Sequence, residues 1–189
     1  MNIGKSSLSK LIFMALCCDI GILSRKLISP GANLVTEILH IPGGIATSFS
    51  LMFVIVGAVL CRMKFGATLM CAVQSLIALC LGTTGSMGAL APIGYIVPGI
   101  VIDMCILLLE RTKLHDTERI MFTNALAGIC AALCANAITF RLLGPPLWLY
   151  LAVAFTSGII SGLLGALLIK KLCKFCRFEN TKGQAKKDE

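Results

Sequence analysis

Six apolar runs, at residues 8–23, 44–61, 66–81, 91–109, 120–140 and 147–169, occupy most of this 189-residue chain. A helix rises about 1.5 Å per residue and a bilayer core is roughly 30 Å thick, so roughly 20 apolar residues suffice to cross it. Most of the runs reach that length; the third is short but within the range. No water is present in a bilayer core to pair exposed backbone groups, so a lipid-spanning segment of this kind is a helix. The chain is therefore expected to be an all-α integral membrane protein, with six transmembrane helices in one compact bundle. Residues 1–170 form that single domain, and residues 171–189 are read as a basic, disordered tail.

Composition agrees with the pattern. Hydrophobic residues make up 57% of the chain and charged residues 14%, too little polar surface for a soluble domain of this size. There is no Gly-x-x-x-x-Gly-Lys-Ser/Thr loop and no room for a nucleotide-binding domain, so any ATP-driven process needs a partner. The net charge of +8 raises nucleic acid as a partner, but its placement argues against one. Lys170, Lys171, Lys174, Arg177, Lys182, Lys186 and Lys187 cluster behind the last run, as a cytoplasmic flank does, with anionic lipid as a possible contact.

The loops give direction. With a cytoplasmic N-terminus, the inside segments hold Lys5, Lys10, Arg62, Lys64, Arg111, Lys113, Arg119 and the seven tail residues. The outside segments hold only Arg25, Lys26 and Arg141, so the split is 14 to 3. Both termini are thus expected in the cytoplasm. The first run follows Lys5 and Lys10 but lacks an Ala-x-Ala-like cleavage site and carries Asp19, so it reads as a retained span rather than a signal peptide.

Two outside segments stand out. Residues 24–43 form a long connection, read either as a cap over the bundle or as a surface connector with an interfacial turn. Residues 82–98 are uncharged and Gly-rich, and part of them is expected to line a pocket mouth. The fourth helix starts near Ala91 or near Pro98; the first choice sinks Asp103 below the midplane, the second leaves it in the outer third. In the fifth run Asn124, Gly128, Ala132 and Asn136 form one ridge and Ala127, Ala131 and Ala135 an adjacent one, and in the sixth Gly158, Ser161, Gly162 and Gly165 form a small-residue face; all suit close helix packing within the bundle.

Asp19 and Asp103 are the only acidic residues inside the runs, and such residues are either functional groups or structural pairs. Asp19 has Arg25 or Lys26 as a possible partner. His40, Tyr95, Trp148 and Tyr150 can stack on a flat heterocycle, although Trp148 and Tyr150 equally suit an interfacial aromatic belt. Asn136 and Thr139 lie at the same outer level. Most of the ten cysteines read as small apolar packers. Cys173 and Cys176 form a lone C-x-x-C, short of the four ligands a zinc site needs, so neither a metal nor a cofactor is expected. No H-E-x-x-H or G-x-S-x-G motif occurs, and His40 and His115 fall on opposite sides of the membrane, so no enzyme activity is expected.

The six runs, the basic tail and the stretch IPGGIATSFSLMFVIVGAVLCRMKFGA together resemble an S component, the substrate-capture subunit of an energy-coupling factor (ECF-type) vitamin transporter. Ile41-Pro42-Gly43-Gly44, Gly57, Lys64-Phe65-Gly66-Ala67 and the stretch from Pro98 to Asp103 look most like the thiamine/hydroxymethylpyrimidine branch. The resemblance implies a multi-pass protein of a bacterial plasma membrane that binds a vitamin from outside. Its partners would be a transmembrane coupling subunit and two ATPase subunits. Ligand contacts are then expected at His40, Gly43, Gly44, Tyr95, Asp103, Asn136, Thr139 and Trp148. The family's Ala-x-x-x-Ala docking face has no full counterpart, because Ala15 is followed four residues later by Asp19; Leu11, Ala15, Cys18 and Ile22 take its place. Two readings compete: a self-sufficient six-span secondary carrier or channel, against which the lack of a clear inverted repeat counts modestly, and a membrane scaffold.

Overall fold

The computed structural model describes residues 7–39, 45–61, 63–82, 88, 90–109, 114–141 and 143–185, and its elements are helical. The six α-helices are α1 Ser7–Leu39, α2 Ile45–Cys61, α3 Gly66–Cys80, α4 Ala91–Leu109, α5 Asp116–Ala135 and α6 Pro145–Ala185; a π-helical turn, Asn136–Phe140, closes α5. Three of them, α4, α5 with its π-turn and α6, are long and apolar enough to cross a membrane, and α2 and α3 are shorter apolar helices.

The helix α2 is the hub. It carries no charge and is apolar on every side, which is the pattern of a helix buried all round. Each other helix packs against it, and α1, α3, α4, α5 and α6 succeed one another around it. Val54, Ile55, Val56, Leu60 and Cys61 are essentially inaccessible. The outer ring reverses the soluble pattern. Only 22% of the most apolar stretch of α4 is buried, and Ile93, Ile100, Met104, Leu107 and Leu108 face outward. Water does not tolerate such a surface over a whole bundle; hydrocarbon does.

Close packing of α5 on α6 follows the small-residue faces. A Cβ built on Gly158 would stand 2.7 Å from the Ala125 Cα, and one on Gly162 2.8 Å from the Met121 Cα. At that distance the two backbones exchange polar contacts. The Asn124 amide donates to the Gly158 carbonyl at 2.9 Å and to the Ser161 hydroxyl at 2.7 Å, and Ser161 donates on to the Ser157 carbonyl at 2.7 Å. Ser48 of α2 meets Ser157 at 3.0 Å. The expectation of intramolecular rather than intermolecular packing for these residues agrees with the structure.

Three segments of the chain bear comparison with what the sequence predicts. Residues 24–39, read as part of a connection between two spans, continue α1 as helix to Leu39, with Pro30 inside it. Apolar positions 27, 28, 34, 35, 38 and 39 recur at helical spacing, and a growing helix adds residues more easily than a new one nucleates. Similarly α6 runs on into the basic tail as far as Ala185. The choice left open for α4 falls on Ala91, so Pro98 lies inside the helix and is buried there.

Candidate functional site

The ends of the bundle are distinguished by their chemistry. The Cys61 thiol, at the end of α2, donates to the Lys10 carbonyl at 3.6 Å. With Lys64, the start of α5 and Lys170, these groups define a basic end. The opposite end, expected from the sequence to face outward, holds Arg25, Ser29 and Tyr95 of α4.

Asp103 belongs to the basic end and is committed there. It is buried, and its Oδ1 accepts from the Ala67 N–H at 3.1 Å while its Oδ2 accepts from the Thr68 N–H at 2.8 Å and the Thr68 hydroxyl at 2.6 Å. These are unpaired donors of the first turn of α3. The residue before that helix is Phe65, in the left-handed region at φ 58°, and its side chain cannot cap. An aspartate from α4 therefore does what a local Ser, Asp or Asn usually does. Gly99, one turn earlier on α4, allows the approach: a Cβ there would lie 2.9 Å from the Cys71 Cβ and 3.1 Å from the Ala67 carbonyl oxygen. Asp103, expected as a ligand contact, caps α3 and lines the larger cavity at this end.

The larger cavity, about 720 Å³, also opens at the basic end, between α2, α4, α5 and α6. Its walls are mainly aliphatic, including Ile55, Val59, Ile106 and Ile169. Several of its polar groups are engaged: Asp103 caps α3, Arg119 pairs with Asp116 at 3.5 Å, and the Thr123 hydroxyl donates to the Arg119 carbonyl at 2.7 Å, while Lys64 also lines it.

The outer cavity differs. It encloses about 440 Å³ between Ile22, Arg25, Lys26, Ser29, Pro30, Ser50, Ala78 and Tyr95, within the usual range of small-molecule sites, about 300–1,000 Å³. Beside the cavity, a Cβ built on Gly21 would meet the Gln74 amide nitrogen at 2.9 Å and the Ser50 carbonyl at 3.4 Å, so α1 lies tight against α2 and α3 there. One turn above, Arg25 turns inward. Its guanidinium donates to the Tyr95 hydroxyl and lies over the Tyr95 ring, 5.0 Å from the centroid. Arg25 of α1 thus reaches α4 across the cavity mouth.

Of the expected ligand residues, Tyr95 lines this cavity. Asn136 opens the π-turn, where Arg141 donates its N–H to the Asn136 carbonyl at 2.7 Å. The Thr139 hydroxyl is buried without a partner. Trp148 is 74% exposed on the outer surface of α6, as an aromatic-belt residue would be, whereas Tyr150 is buried against Ala132 and Ala154. Asn136, Thr139 and Trp148 do not line the outer cavity. His40, Gly43 and Gly44 lie outside the described residues. Arg25, Lys26, Ser29 and Ser50 line this cavity and were not among the expected ligand contacts. The signal was present in Arg25-Lys26, the one adjacent basic pair of the outside segments, but it reads first as a topology marker.

The expected docking face of α1 also changes. Leu11 and Ala15 are exposed and Ile22 is half-buried, but Cys18 is only 3% exposed and its thiol donates to the Met70 carbonyl at 3.6 Å. Cys17, Cys18 and Gly21 are the small residues that let α1 approach α2 and α3, so they face inward. The exposed stripe instead runs Leu8, Ile12, Ala15, Leu16, Asp19 and Leu23. Asp19 has no ion pair among the described residues. Lys26 is exposed on the same side, two turns or about 10 Å further along.

Nine cysteines are free among the described residues, and no group of three His, Cys, Asp or Glu side chains gathers there. No protein-family model, curated protein or solved structure matches the chain.

Proposed function

We propose that this chain is the solute-capture subunit of an ATP-driven importer, an S component of the ECF type. It lies in a bacterial plasma membrane with six spans and both termini in the cytoplasm. The observation that carries the reading is the outer cavity, a pocket lined by Arg25, Lys26, Ser29, Ser50 and Tyr95 and let into a bundle whose outer surface is hydrocarbon-like. A pocket at the end opposite the basic flank faces the outside under the positive-inside rule. The chain supplies no ATP-binding loop of its own, so the energy comes from a coupling subunit and two ATPases. A vitamin or vitamin precursor is the ligand class, with hydroxymethylpyrimidine and thiamine the first to try.

The α1 stripe is the proposed docking face for the coupling subunit. A carboxylate facing hydrocarbon is costly, about 2.5–3.5 kcal/mol at a helix centre on insertion scales. A partner helix over Ala15 and Asp19 removes that cost. Ala15→Leu is expected to leave ligand affinity unchanged and to cut uptake by the assembled transporter, by holding the partner backbone away. Lost affinity with normal complex assembly would reverse the assignment.

Ligand retention tests the whole reading. The purified protein, in detergent and without ATP or an ion gradient, is expected to hold one ligand from a panel of hydroxymethylpyrimidine, thiamine, riboflavin, biotin and folate. Retention of none rejects capture of these compounds. Solute movement by the chain alone in liposomes under an ion gradient identifies a secondary carrier or channel instead.

A further inference from the structure

We propose that the outer cavity is an anion site, in which Arg25, held over Tyr95, with Lys26 beside it, receives the phosphate or carboxylate of a small organic ligand. The inference rests on reading this cavity as the ligand site. It goes further by fixing the charge of what enters, and that charge is opposite to the cation an Asp103 site would have favoured.

The charge balance of the lining carries the argument. Arg25 and Lys26 contribute two cations, and no carboxylate lines the cavity. The larger cavity offers the contrast: there Lys64 and Arg119 stand with Asp103 and Asp116. The described ion pair is Arg119 with Asp116, so Arg25 has no anionic partner among the described residues. A guanidinium always keeps its charge and presents a planar fork matched to two oxygens of a phosphate or carboxylate. Near a membrane such a charge is costly unless it reaches water or an anion. An arginine that simply snorkels extends toward the interface. Arg25 is instead half-buried and drawn across the mouth onto a residue of α4. The Tyr95 ring and hydroxyl fix one side of the guanidinium, and an aromatic face with a hydroxyl does not neutralise it. Ser29 and Ser50 line the same cavity and add hydroxyls that can donate to an anion.

The same chemistry can come from a soluble ligand or from an anionic lipid headgroup, and a matched pair of probes separates them. Hydroxymethylpyrimidine and its phosphate ester share the ring and differ in the anion. In nanodiscs of phosphatidylcholine alone, the phosphate ester is expected to bind about tenfold or more tighter than the alcohol, the effect of one charge-assisted contact. Arg25→Gln should erase that preference, and Lys26→Gln, at an exposed position, should reduce it without disturbing the fold. Should neither pyrimidine bind, thermal stability is compared with and without inorganic phosphate, and between phosphatidylcholine and phosphatidylglycerol nanodiscs. A shift with phosphate or phosphatidylglycerol that Arg25→Gln abolishes upholds the anion site, assigns it to free anion or headgroup respectively, and rejects the pyrimidine ligand alone. Equal or tighter binding of the neutral alcohol, or no Arg25-dependent shift in any arm, overturns the proposal.

Discussion

Replacing Asp103 by alanine is expected to lower the stability of the bundle by about 3 kcal/mol, because a hydrogen bond to a charged group is worth about 1.5–3 kcal/mol and several are lost together. The carboxylate accepts from Ala67, from the Thr68 amide and from the Thr68 hydroxyl. Without it, buried N–H groups at the start of α3 have no partner, and water reaches them only by opening the α3–α4 contact. Asp103→Asn retains one acceptor oxygen and asparagine is a good cap, so its cost should fall to about 1 kcal/mol. Thr68→Val removes only the hydroxyl donor and should cost about 1 kcal/mol. Thermal unfolding in detergent gives the order Asp103→Ala, then the two milder variants. Ligand affinity measured below the transition should be unchanged in all three. A stable Asp103→Ala protein that has lost ligand would return this residue to the binding site.

Gly158→Leu is expected to do more damage, costing more than about 3 kcal/mol and preventing the α5–α6 pair from closing. The obstacle is backbone: even a Cβ would stand 2.7 Å from the Ala125 Cα, and no rotamer change relieves that. Separating the helices would also break the Asn124 bond to the Gly158 carbonyl, made at 2.9 Å. Gly158→Ala should give a graded loss of about 1–3 kcal/mol. Gly31 provides the control, since nothing lies within 4 Å of a Cβ built there. Gly31→Ala should therefore be neutral or raise stability by about 0.5–1 kcal/mol, as alanine favours a helix interior. Size-exclusion profiles and melting temperatures of the three proteins check the series. A monodisperse Gly158→Leu protein melting with the parent would mean that α5 and α6 do not cross where described.

Several features were legible from hydrophobic length alone. The run at 91–109 coincides with α4, and those at 44–61 and 66–81 differ from α2 and α3 by a single residue at one end. Apolar length forces a helix wherever the backbone must satisfy itself. The continuations of α1 and α6 were harder to see, because a polar or Pro-containing segment beyond an apolar run resembles a loop in composition. The site was less legible for a different reason. Asp103 drew attention as a carboxylate inside an apolar run, but its capping role was hidden because its partners lie 35 and 36 residues away on another helix. One clue existed locally: Met63, Lys64 and Phe65, just before α3, include no capping residue, so a cap from elsewhere was needed. Cys18 misled in the opposite sense. Small residues on a helix mark a close approach, but their pattern does not say whether the approaching helix belongs to the same chain.

What the sequence determined by itself was the class of molecule: an all-helical chain with hydrocarbon-like surfaces, its basic residues gathered at one end, and helix positions set by apolar length. Those properties depend on residue type and local spacing, which a linear string contains. The tertiary structure decided which small faces are consumed inside the bundle, which carboxylate is spent on a helix terminus, and where an arginine finds an aromatic ring 70 residues away. Such pairings depend on which helices become neighbours around α2, and that follows from packing of the whole chain rather than from any one segment.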